Sequence, residues 1–105
     1  MSTQVTIALI VAKPGPLRYS LQALMTTMPQ IEILAETSDP SALLRMGAEI
    51  QPHLVLMDAD LPEEQVCAAL RQINKGWSQT RSIVLVKDSR QQKAVQAAGA
   101  DVALL

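Results

Sequence analysis

The 105-residue chain has one cysteine, Cys67, and two aromatic residues, Tyr19 and Trp77, with no phenylalanine. A lone cysteine excludes an internal disulfide framework and any cysteine-pair metal knuckle. It suits a reducing compartment, and its ordinary place is as a small buried apolar side chain. So few aromatics exclude the stacking platforms of single-strand nucleic-acid binders. Nine Lys+Arg against ten Asp+Glu give a net charge of −1. Without a basic surplus, direct nucleic-acid binding is not expected. The longest apolar run, Ile7 to Ala12, is far shorter than the ~20 residues of a membrane span. Residues Met1 to Thr6 carry no positive side chain, so no signal peptide is expected and the expected location is cytoplasmic. The Gly15 region lacks both GxGxxG and GxxxxGK, which removes support for nucleotide binding.

What the chain does have is a repeated strand–helix unit. Ile7 to Val11 is a continuous, β-branched apolar run, as in strands buried on both faces of a parallel sheet. Pro14-Gly15-Pro16 breaks it. Leu17, Leu21, Leu24, Met25 and Met28 then recur at helical spacing, which predicts an amphipathic helix over about 16–27 with Pro16 in its first turn. Ile31 to Ala35 reads as a second strand, alternating at first as an edge strand does. Ser38 or Asp39 caps the next helix ahead of Pro40. Leu43, Leu44, Gly47 and Ile50 form its inner stripe, with Gly47 allowing close packing, and Pro52 ends it. His53 to Asp58 is a third strand that closes on a carboxylate. Asp60 is expected to N-cap the following helix, with Glu63 in capping-box position. Val66, Cys67, Ala69, Leu70 and Ile73 supply that helix's core face. A loop over Lys75 to Thr80 carries Trp77, expected to cover a core edge. Ser82 to Val86 is a fourth strand, Ser89 to Ala98 a short helix ending near Gly99, and Val102 to Leu105 a fifth strand. This βαβαβαβαβ order predicts one α/β domain over 1–105, with a parallel sheet and helices on both faces.

In open α/β sheets, ligands sit outside the carboxyl ends of the strands. That rule selects Ala12 and Lys13, Ser38 and Asp39, Asp58 to Asp60, and Lys87 and Asp88. Asp58 follows four buried apolar residues, so its desolvated carboxylate needs partners: backbone N–H groups or a lysine. His53 starts the same strand. Five residues at about 3.3 Å each separate the two by roughly 16 Å, so they form no nucleophile–base pair. Glu63 and Glu64 read as charge favoured at a helix start.

The stretch Pro52-His53-Leu54-Val55-Leu56-Met57-Asp58-Ala59-Asp60-Leu61-Pro62 resembles the phosphoacceptor segment of two-component response-regulator receiver domains. Ala98-Gly99-Ala100-Asp101 resembles the family's segment before its fifth strand. The first βα unit, Ile10 to Leu24, resembles the family's as well. The resemblance implies a flavodoxin-like, doubly wound five-stranded sheet of order 2-1-3-4-5. It also implies Asp58 as phosphoacceptor and a sensor kinase or output protein as partner.

Several positions depart from that pattern. The acidic pair that holds Mg²⁺ in receivers is Ala12 and Lys13 here. The Ser or Thr that ends strand four is Val86, whose methyls donate no hydrogen bond. The glycine after the loop proline is Glu63. The family's lysine after strand five would fall beyond Leu105, as would its fifth helix. Mg²⁺ needs near-octahedral oxygen ligands, so no cofactor is expected. The expectation is a pseudo-receiver, not an enzyme, that works by protein–protein contact with phosphorylation of Asp58 slow or absent. Lys13, or Lys87, would pair with Asp58. Leu85, Ala103 and Leu104 would be left open to water and favour a homodimer. One alternative is a receiver phosphorylated on Asp58 by an atypical route. Another is a small flavodoxin-like enzyme or ligand binder, which lacks a nucleophile–base pair, a metal cluster and a phosphate loop.

Overall fold

The computed structural model describes residues 5–58 and 60–105. Residues 1–4, part of the stretch read as lacking a leader's charge, and Ala59 lie outside the described residues. The elements are β1 (Thr6–Val11), α1 (Pro16–Thr26), β2 (Ile31–Thr37), α2 (Pro40–Ile50), β3 (Leu54–Asp58), α3 (Glu63–Gly76), β4 (Arg81–Leu85), α4 (Ser89–Ala97) and β5 (Val102–Leu104). All strand pairs are parallel, in the order β2-β1-β3-β4-β5. The architecture is therefore the doubly wound, flavodoxin-like sheet that the alternation and the resemblance implied, with four helices among the described residues.

Strand alternation sends side chains to two separate cores. Leu9, Val11, Val55, Met57 and Val84 meet Leu43 of α2, Val66, Leu70 and Ile73 of α3, and Val95 of α4. Ile10, Ala12 and Leu56 meet Met25 of α1 on the other face, with Leu21, Ile31 and Ile83 packed around them. Fully burying a side chain of this kind contributes ~1.5–3 kcal/mol, so the three-helix face carries most of the stability. Cys67 is buried in that core, and burial pushes its thiol pKa up. It is a packing residue, as expected of a lone cysteine.

The strand β2 is an edge strand with a slip in its pairing. Ala8 faces Ile33 and Leu9 faces Ala35, so Leu34 is an extra residue with no opposite number. It is exposed.

Three expectations need correction. Of the predicted α1 stripe, Met25 is buried and Leu21 half-buried, whereas Leu17, Leu24 and Met28 are exposed. Among the described helices only α1 packs in that second core, so the flanks of its stripe have no neighbour to cover them. Ala103 is not open to water: it is buried in the three-helix core, and it is Val102 and Leu104, on the opposite pleat, that are exposed. The loop expected from Lys75 starts later, because α3 continues through Gly76.

At the lower end of the sheet, where the strands begin, Gly47 lets α2 and the α3–β4 connection meet. A Cβ at Gly47 would lie 1.9 Å from the far edge of the Trp77 indole. The close-packing role of Gly47 and the core-covering role of Trp77 are two sides of one contact. Gly99 follows α4 at φ 112°, a left-handed conformation that glycine adopts at no steric cost, and it turns the chain into β5.

Candidate functional site

The carboxyl ends of β1, β3 and β4 bring Ala12, Lys13, Asp58, Asp60, Val86 and Lys87 to one rim of the sheet. Ala12 and Val86 are buried there, and Asp58 is half-buried at the end of β3. His53 lies at the other end of β3. Its Nδ1 accepts the Ile7 backbone N–H at 3.0 Å, which joins β1 to β3 and confirms its separation from Asp58. It is a structural residue at a strand entry.

Among the described residues, Asp58 has one of the two kinds of partner expected for it and lacks the other. Its Oδ1 accepts the backbone N–H of Asp60 at 3.0 Å, and its carbonyl accepts that of Leu61 at 3.3 Å. Of the two partners weighed, backbone N–H rather than lysine holds this carboxylate. The lysines go to Asp60 instead. Lys87 Nζ donates to Asp60 Oδ1, and Lys13 Nζ stands 3.8 Å from Asp60 Oδ2. Asp60 therefore does not cap α3, whose N-cap is Pro62 with no side-chain cap bond. The reason is register: α3 begins at Glu63, so Asp60 stands two residues ahead of the capping position and its carboxylate is free to meet the lysines.

Asp60 and Lys87 shift each other. The Lys87 hydrogen bond and charge, then the Lys13 charge, hold the Asp60 carboxyl below the usual aspartate range. Asp60 in turn pushes Lys87 up, with smaller contributions from Asp58 and Asp88. A lowered carboxyl pKa stabilises the fold above the ordinary aspartate range, and this is lost as pH falls through the lowered value. A raised lysine pKa stabilises it below the ordinary lysine range, and this is lost as pH rises through the raised value. The bridge is thus intact across neutral pH. Replacing Lys87 with methionine is expected to raise the Asp60 pKa toward the ordinary range by more than Lys13→Met does. Carboxyl-carbon NMR titration of the two variants checks this; an equal or reversed order would contradict it.

Neighbouring contacts brace the rim, and the sequence pattern did not mark them. The Arg18 guanidinium donates to the Ala12 carbonyl, with Nε at 3.1 Å and Nη2 also in contact. It also stands 3.8 Å from Glu36, which accepts from Gln22 at 2.5 Å. In the β4–α4 connection, Asp88 caps α4 by accepting the Gln91 N–H at 2.8 Å, while Gln91 Oε1 accepts the Lys87 N–H at 2.8 Å. Arg90 reaches Glu63 at 3.0 Å, joining the starts of α3 and α4. An i, i+3 acid–glutamine pair was the one available signal, at Asp88 and Gln91. The Arg18 and Arg90 contacts are tertiary and had none.

No protein-family model matches the chain. It is 34% identical over 68 residues to the transcriptional regulatory protein LiaR of Bacillus subtilis, covering 65% of this chain and 32% of that protein. It is 31% identical over 80 residues to the uncharacterized transcriptional regulatory protein YhcZ of the same organism, covering 76% and 37%. The chain thus matches about a third of the length of these curated relatives. Among solved structures, a DNA-binding response regulator of the LuxR family from Staphylococcus aureus superposes with a TM-score of 0.82 at 21% identity, over 96% of this chain and 86% of that one. A two-component response regulator of the LuxR family from Aurantimonas gives 0.82 at 22% identity, over 95% and 73%. The isolated REC domain of RcsB from Salmonella enterica, in the presence of a phosphomimetic, gives 0.79 at 15%, over 97% and 78%. The chain has the fold of response-regulator receiver domains.

Proposed function

We propose that this receiver-fold domain is a signalling module of a two-component response regulator that acts through protein contacts, with phosphoryl transfer to Asp58 impaired. The carrying observation is that Lys13 and Lys87 both converge on Asp60, next to the half-buried Asp58. Receivers place an acidic pair where this chain has Ala12 and Lys13. Beside Asp58, Asp60 is neutralised by the lysines, and Lys13 adds a cation where a metal would need an anion. The Ala12 carbonyl is engaged by Arg18. These residues do not fit Mg²⁺, which asks for hard oxygen ligands and few nearby cations. Without charge neutralisation on the attacked phosphoryl group, transfer to a carboxylate is slow.

The partner is a protein: a sensor kinase, or an output segment of the kind that transcriptional regulatory relatives suggest. The domain itself is not an enzyme, binds no nucleic acid and belongs in the cytoplasm. The second reading, phosphorylation by an atypical route, is favoured by the placement of Asp58 at the rim with one carboxylate oxygen on the Asp60 amide. Incubation with Mg²⁺ and acetyl phosphate, followed by intact-mass measurement, separates the two. The proposal expects no added phosphoryl mass. A gain that disappears in Asp58→Asn would overturn it in favour of the second reading. Self-association through the α4–β5 region has the exposed Val102 and Leu104 in its favour. Light scattering is expected to show a dimer, and a monomer across the accessible concentration range would remove that part of the proposal.

A further inference from the structure

A cavity of about 450 Å³ opens at the end of the sheet opposite Asp58. That volume lies in the range of small-molecule sites. Its walls are the last turn of α2, at Gly47 and Ala48, the left-handed Gln51 beyond it, and the α3–β4 connection at Trp77, Ser78 and Gln79.

Three independent features agree on what would sit there. The residues that line it carry no charged side chain, so no acid or base is placed to pair with a strongly hydrated ion. Both α2 and α3 end at it, and helix C-termini present carbonyls that carry the negative end of the macrodipole. No basic residue occupies the last turn of α2 to offset that field, which also contains Glu49; α3 has one, Lys75. Arg81, next along the chain, faces Asp101 at 3.6 Å. Trp77 is among the lining residues, and tryptophan is the side chain on which cations are held best.

We propose that this cavity binds a small, weakly hydrated organic cation, with a methylated or quaternary ammonium head against Trp77 and the C-terminal end of α2. A primary ammonium or a metal ion is disfavoured, because it would lose its hydration shell without gaining a carboxylate. A quaternary head loses little on entering such a site and gains the indole and the helix dipole.

The chain's single tryptophan is its own reporter. Choline chloride, titrated against the intact domain at constant chloride concentration, is expected to change Trp77 emission saturably, with half-saturation on the order of 1 mM. The uncharged carbon isostere of choline, 3,3-dimethylbutan-1-ol, is expected to bind roughly tenfold more weakly or not at all. Ala48→Lys puts an ammonium at an exposed position on the cavity wall. It is expected to weaken choline binding by at least roughly tenfold while leaving the melting transition in place. No saturable response to choline, an equal response to the isostere, or undiminished binding in a folded Ala48→Lys protein would each overturn the proposal. Should Ala48→Lys not fold, the comparison of choline with its isostere on the unaltered chain decides alone.

Discussion

Replacing Gly47 with alanine is expected to destabilise the domain by about 1–2 kcal/mol, and the same replacement in a Trp77→Ala background to stabilise it by about 0.5–1 kcal/mol. The sign reverses because two effects of similar size compete. Gly47 sits inside α2, where alanine is the better helix former by about 1 kcal/mol. Against that, a Cβ would fall 1.9 Å from Cη2 of the Trp77 ring and 2.4 Å from Cζ3. The indole must then shift, and it is rigid and half-buried against the core. Overpacking of this kind costs ~1–3 kcal/mol. With Trp77 cut to alanine the clash is gone and only the helix term remains. Denaturant midpoints for the four proteins of this cycle measure the coupling. Additive effects would show that the ring moves aside freely.

Asp101→Ala is expected to cost ~1–3 kcal/mol, while Arg81→Ala costs under about 0.5 kcal/mol, although the two side chains form an ion pair. The pair itself is exposed, with a 3.6 Å separation and the Arg81 side chain 79% accessible. Asp101 has a second task. Its Oδ2 accepts the Ser82 backbone N–H at 2.8 Å, and its own N–H donates to the Ser82 hydroxyl at 3.2 Å. Ser82 is 1% exposed, so removing the carboxylate leaves a buried donor unmet. Asp101→Asn keeps an acceptor and is expected to cost roughly 1 kcal/mol. Thermal or urea melts order the three variants; equal losses for Arg81→Ala and Asp101→Ala would mean that the ion pair matters after all.

The strands were legible because a parallel sheet covered on both faces leaves few places for polar residues, and Ile7 to Val11 and Leu54 to Met57 have none. Gly47 was legible as a packing position, though not its partner Trp77, which is distant in the chain. The positions at the carboxyl rim were also legible, since topology alone selects the strand ends. Who binds whom there was not. The capping-box spacing of Asp60 and Glu63 is a local signal, but α3 starts only at Glu63 with Pro62 as its N-cap, and Lys13 and Lys87 reach Asp60 from beyond the ends of two strands. The α1 stripe misled for a related reason. Period shows which side of a helix is apolar, but burial depends on how many neighbours cover it, and only the middle of that stripe meets the sheet. Asp101 and Arg18 act on partners that no spacing rule relates to them.

Every open sheet has two borders at which a foreign chain could add itself by main-chain pairing. Here one border is β5. The other is β2, where the unmatched Leu34 throws the alignment out of step partway along. An intruding segment would find a broken template along β2, which gives that border built-in resistance to fibre-like self-addition.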